Sequence, residues 1–170
     1  LPSIIILLLI LMITRPVVKG VFNLQNSSES ALHAVILDDS FSMRGNIDII
    51  RNAAQNILNQ IPDKNQLIWI NINAGVQFKG LKEDLPPLDE LLDFTYHAGV
   101  IMDALYTFDQ NIKGDFTAKE VYILTDSQYS AIENINNHPE LLESLNTYAV
   151  ISPPLENNLS ITHFNILNEI

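Results

Sequence analysis

Residues 34–45 read Ala-Val-Ile-Leu-Asp-Asp-Ser-Phe-Ser-Met-Arg-Gly, an apolar strand that runs directly into Asp38-x-Ser40-x-Ser42. The run from Leu32 to Leu37 has the nearly continuous apolar character of a strand covered on both faces, as in a parallel sheet packed between helices. The motif after it places one carboxylate and two hydroxyls on a single tight turn. Three hard oxygens so arranged form half of a cation site that stays open to an outside ligand. A second phrase, Val-Tyr-Ile-Leu-Thr-Asp over residues 121–126, also ends an apolar strand on an acid, Asp126.

Working outward, Ile47, Ile50, Ala54, Ile57, Leu58 and Ile61 recur at spacings of three and four. That is one face of a helix, which Pro62 ends. Gln66–Ile72 and Val76–Phe78 read as two strands joined at Asn73-Ala74-Gly75, a tight-turn composition that predicts a hairpin. Pro86-Pro87 introduces a short helix over Leu88–Phe94, with Asp89 and Glu90 at the positive end of its dipole. A longer helix is expected from Val100 to Asn111, turning Ile101, Ala104, Leu105 and Phe108 inward. After the strand Val121–Thr125 comes a weakly helical stretch, broken at His138-Pro139 and resuming through Leu141, Leu142 and Leu145. Tyr148–Ile151 is a further strand, stopped by Pro153-Pro154.

Strands alternating with helices predict an α/β fold: a Rossmann-like, doubly wound, mostly parallel sheet with one antiparallel hairpin strand. Ligands of such sheets sit at the carboxyl ends of the strands. Asp38 and Asp126 each follow a buried strand, so both are expected on that edge. Two unpaired acids meeting there would repel each other, and a bound cation removes the conflict.

The chain has 170 residues, 47% of them hydrophobic, enough for one domain with a real core. Nine basic and twenty acidic residues give a net charge of −11, a surface that repels phosphate backbones, and there is no block of Lys or Arg. Nucleic acid is therefore not an expected partner. With no cysteine, the chain has neither a disulfide framework nor a thiolate nucleophile. The apolar run Ile4–Ile13 is shorter than the roughly 20 residues a membrane helix needs. Because Arg15-Pro16 follows it in place of a small-residue cleavage site, residues 1–20 are read as the end of a transmembrane helix begun upstream. Residues 21–31, with Asn26-Ser27-Ser28-Glu29-Ser30, are the linker, residues 32–156 the domain, and residues 157–170 a last strand or the start of a following domain.

Asp38-x-Ser40-x-Ser42 after one buried strand, with Asp126 after a later one, resembles the metal-ion-dependent adhesion site (MIDAS) of von Willebrand factor A domains. The apolar segment ending in Arg-Pro-Val-Val, the short linker, Leu-Asp-Asp-Ser-Phe-Ser-Met and Leu-Thr-Asp-Ser-Gln-Tyr-Ser are together similar to bacterial membrane proteins of the aerotolerance (Bat-like) class. The resemblance implies that Ser40 and Ser42 bind Mg²⁺ directly and that Asp38 and Asp126 act directly or through water. One coordination position is left for an acidic residue of a partner protein. It also implies an inner-membrane protein with the domain on the extracytoplasmic side, although Arg15 and Lys19 alone would pull that end of the helix inward. The sequence departs from the family where a third-loop threonine ligand is expected: Gly99 stands there and offers no oxygen. Thr95 lies four residues earlier and reaches the site only if the loop is rearranged.

Other readings compete. Asp and Ser cap helix amino-termini without a metal, which makes Ser42 or Asn46 a candidate cap for the first helix. Asp39, at the variable position, is expected to face solvent. His33, His97, His138 and His163 have no ligand spacing and are expected in surface or loop roles. A phosphoryl-accepting receiver would open with a similar acidic pair, but it needs a lysine after its fifth strand and none follows Tyr148–Ile151. A haloacid-dehalogenase-type hydrolase needs an aspartate where Ser40 stands, and no Gly-x-Ser-x-Gly elbow is present. The expected role is therefore binding, not catalysis.

Overall fold

The computed structural model describes residues 31–128, 131 and 139–153. Strand β1 (Ala31–Leu37) leads through a 3₁₀ turn (Phe41–Asn46) into helix α1 (Ile47–Gln60). Strands β2 (Gln66–Asn71) and β3 (Gly75–Leu81) follow, then helices α2 (Leu88–Leu91) and α3 (Ile101–Asn111). Strand β4 (Ala118–Thr125), helix α4 (Pro139–Glu143) and strand β5 (Asn146–Ile151) complete the described chain.

The strands form one five-stranded sheet in the order β3-β2-β1-β4-β5. All neighbours are parallel except β2 and β3, so the expected mostly parallel sheet with one antiparallel hairpin strand is present. The hairpin closes through Ile72-Asn73-Ala74 into Gly75, whose φ of 78° is the left-handed conformation that a three-residue hairpin loop uses at its exit.

Side-chain alternation along β1 divides the core. Leu32, Ala34 and Ile36 pack with Ile68, Ile70, Val121 and Ile123 against Ile101, Ala104, Leu105 and Phe108 of α3. On the opposite face Val35, Leu37, Trp69 and Leu124 pack against Ile50, Ala54, Ile57 and Leu58 of α1. Helices therefore cover both faces, and β1, fully buried along its length, is the centre of the molecule.

Several boundaries differ from expectation: β3 runs on to Leu81 and β5 starts at Asn146, and two others differ for tertiary reasons. The helix predicted over Leu88–Phe94 stops at Leu91, because Leu91 and Leu92 both turn into the α1-side core and the Leu91 carbonyl accepts a bond from Asn71 Nδ2 at 3.0 Å. Strand β4 starts at Ala118, earlier than its apolar stretch, because β1 offers pairing partners from Ala31 onward. Among the described residues no helix is long and apolar enough to cross a membrane. The segment expected to be transmembrane, the expected linker up to residue 30 and the segment 157–170 lie outside the described residues, while Ala31, expected to end the linker, begins β1.

Candidate functional site

Strand β1 is next to β2 on one side and β4 on the other, so the chain leaves the sheet in opposite directions from neighbouring strand ends. That switch point is where open α/β sheets form a crevice. Leu37 is in register with Leu124, and the Asp38 N–H donates to the Leu124 carbonyl at 2.9 Å. Asp38 and the pair Thr125-Asp126 thereby lie side by side at the carboxyl edge.

Asp38 is 1% exposed, and both of its oxygens are engaged. The Ser40 N–H donates to Oδ1 at 3.1 Å and the Thr125 hydroxyl donates to Oδ2 at 2.8 Å. Ser40 and Ser42 are half-buried, with hydroxyl oxygens 3.1 Å apart. Asp126 is half-buried too, and its oxygens accept from the N–H and the side-chain amide of Gln128 at 3.3 and 3.1 Å. Neutral donors thus ease the repulsion that was expected to need a cation. A small cleft of about 10 Å³ opens here, lined by Asp38, Ser40, Ala98, Gly99, Gln128 and Ala131. Asp38 and Ser40 of the predicted set line it; Ser42 joins through Ser40, and Asp126 through Gln128.

Gly99 is present for a steric reason. A Cβ built on it would stand 2.2 Å from Ile72 Cγ2 and 3.1 Å from Asn73 Oδ1, so no side chain fits while the 95–99 loop lies against the hairpin turn. Thr95 does not replace the missing oxygen: its hydroxyl accepts from the His97 N–H at 3.3 Å and its own N–H donates to the Asp39 carbonyl at 2.7 Å.

Several expectations are corrected. Asp39 does not face solvent; it is fully buried, and its carboxylate accepts three bonds from the hairpin turn. The donors are the Asn73 N–H and side-chain amide on Oδ1, at 2.9 and 2.7 Å, and the Ala74 N–H on Oδ2, at 3.2 Å. Neither Ser42 nor Asn46 caps a helix with its side chain. Asn46 instead donates to the Pro153 carbonyl at 2.8 Å, tying the 3₁₀ turn to the end of β5. His33 is fully buried within β1, its Nε2 2.9 Å from Asn65 Nδ2 and its Nδ1 3.2 Å from Glu120 Oε2. His97 is exposed as expected, while His138 and His163 lie outside the described residues.

Sequence reading missed Thr125, Gln128 and the role of Asp39. Thr125 was within reach: aligning the two strand ends at Leu37 and Leu124 places its hydroxyl opposite Asp38. Ser127, with φ of 59°, is the one non-glycine residue in the left-handed region among the described residues, and its N–H donates to the Thr125 hydroxyl at 3.1 Å. Such backbone costs of order 1 kcal/mol and tends to collect at functional sites.

The residues can be tested against Mg²⁺. Octahedral ligands at 2.0–2.1 Å stand about 2.9 Å from one another, and the Ser40 and Ser42 oxygens are near that spacing. The Asp38 oxygens each keep a lone pair beyond the one bond they accept. A hydroxyl-rich half-site of this kind fits a hard cation, and Gly99 leaves it one oxygen short. Among the described residues no group of three or more His, Asp or Glu gathers in a way that could hold a metal. No protein-family model matches the chain, and no curated protein matches it in sequence.

Proposed function

We propose that the chain is a von Willebrand factor A-like, Rossmann-like doubly wound domain of a membrane protein similar to the Bat-like class. In this reading it binds a protein partner through the rim bearing Asp38, Ser40, Ser42 and Asp126. The supporting observation is the placement of Asp38, with two adjacent hydroxyls, beside Thr125-Asp126 at the switch point of the sheet. Asp38, Ser40 and Ser42 would hold Mg²⁺, with Asp126 acting through water. The ion would supply an open position for a partner's carboxylate, and no bond is made or broken. The membrane anchor and the extracytoplasmic side of a bacterial inner membrane belong to the same reading, carried by the resemblance of the N-terminal segment.

Calorimetric titration of the chain with Mg²⁺ and Mn²⁺ tests the metal. Saturable binding is expected, and Asp38→Ala should abolish it. Silence of the wild-type chain at millimolar cation would retire the metal-dependent reading.

A further inference from the structure

Phe41 and Tyr96 stack on the surface beside this rim, ring centroids 4.8 Å apart and planes within 18° of each other. Phe41 is 49% exposed and Tyr96 82%. Aromatic rings gain most of their free energy by leaving water, so a stacked pair held in solvent is unspent binding surface. The Arg44 guanidinium lies 5.9 Å from the Phe41 ring centroid. Arg44 forms no ion pair among the described residues, whereas Arg51 and Lys82 do. On a chain of net charge −11, an exposed and unpaired guanidinium gives this spot the opposite sign to its surroundings.

Local geometry holds the three side chains in place. A 3₁₀ turn repeats every three residues, which puts Phe41 and Arg44 on its outer side and Met43 and Asn46 on its inner side. Met43 is fully buried and Asn46 is bonded to Pro153, so the turn is fixed from beneath. Tyr96 follows Thr95, whose N–H is bonded to the Asp39 carbonyl. Both rings therefore stand on anchored backbone and lose little freedom when covered, which is what pre-organisation contributes to affinity. Aromatic residues and Arg are also the types enriched where interfaces concentrate their binding energy.

We infer that Phe41, Tyr96 and Arg44 form a docking anchor for a partner segment that presents an aromatic side chain next to an acidic one. The partner ring covers the stacked pair and its carboxylate meets Arg44. Charge complementarity selects this occupant: an exposed cation with no ion pair among the described residues is set on an aromatic platform. The inference rests on the reading of the rim as a protein-binding surface, but it needs no metal.

The test is selection of a displayed random-peptide library on the full chain, with Mg²⁺ and with EDTA, followed by affinity measurement with the synthesised consensus peptide. Selected peptides should pair an aromatic residue with Asp or Glu, and binding should persist in EDTA. Tyr96→Ala and Arg44→Glu should each weaken the consensus peptide about ten-fold or more. Both positions face solvent, and emission from the fully buried Trp69 reports that each variant stays folded. Peptides without the aromatic–acidic pair, or wild-type affinity in both variants, would overturn the anchor. Binding lost only in Asp38→Ala or EDTA would overturn it while leaving the metal reading intact. Binding that depends on Tyr96 and Arg44 but ignores Asp38→Ala and EDTA supports the anchor, and the cation titration decides the metal separately.

Discussion

Asp39 and Gly99 do opposite work at the same junction. Asp39 is a buried carboxylate with three donors from one turn, so Asp39→Ala leaves the Asn73 and Ala74 N–H groups without their acceptor. A loss of about 2 kcal/mol is expected, since hydrogen bonds to a charged group contribute roughly 1.5–3 kcal/mol and the donors, on a partly exposed turn, regain some of that from water. Urea unfolding of the variant and the wild-type chain measures it. Gly99 lets two loops touch, and Gly99→Thr forces its Cβ into Ile72. That variant should lose about 1–3 kcal/mol, the cost typical of overpacking. If the collision is the cause, adding Gly99→Thr to an Ile72→Ala chain should cost much less, which a double-mutant unfolding cycle would reveal. Residue identity at position 39 was readable in the sequence, but its burial was not: the donors lie on a hairpin more than thirty residues away. The missing ligand at Gly99 was also readable, whereas its steric reason depends on Ile72.

At the level of strands, β1 and β4 carry a polar cluster beneath the α1-side core that the apolar pattern of β1 conceals. His33 is held between Asn65 and Glu120, and the Tyr122 hydroxyl donates to Glu120 Oε2 at 2.8 Å. Burial pushes the His33 imidazole below its usual value of 6.5, with Glu120 only partly opposing it. Burial, and then the bond to Glu120, pushes the Tyr122 phenol well above its usual 10.0. For His33 the unfolded chain binds more protons, so its contribution is full above about pH 6.5 and is lost as pH falls from there through the lower folded value. For Tyr122 the folded state holds the proton more tightly, so its contribution is full below about pH 10 and is lost as pH rises further. Stability should therefore plateau between those limits, as urea midpoints across pH would show. His33→Gln should flatten the acid side alone. A lone histidine in an apolar run had been expected near the surface. Its pairing with Glu120 follows from the register of β1 on β4, which no local pattern specifies.

Across the molecule, the division between what was written locally and what was not follows the range of the interactions. The apolar periods of three and four in α1 and α3, the buried runs of β1 and β4 and the turn at Asn73-Ala74-Gly75 are short-range signals, so they identified the α/β class and the hairpin. The carboxyl-edge location of Asp38 and Asp126 followed too, because a parallel sheet puts every strand end of one sense on one side. The strand order β3-β2-β1-β4-β5 and the register of Leu37 on Leu124 were decided by packing. They are what bring Thr125 onto Asp38, seat Asp39 in the hairpin, close the loop over Gly99 and set Phe41 beside Tyr96. The chemistry of each group is a property of its own residue type. The company it keeps is set by contacts between segments far apart in the chain, which form only when the apolar faces of the sheet are buried together.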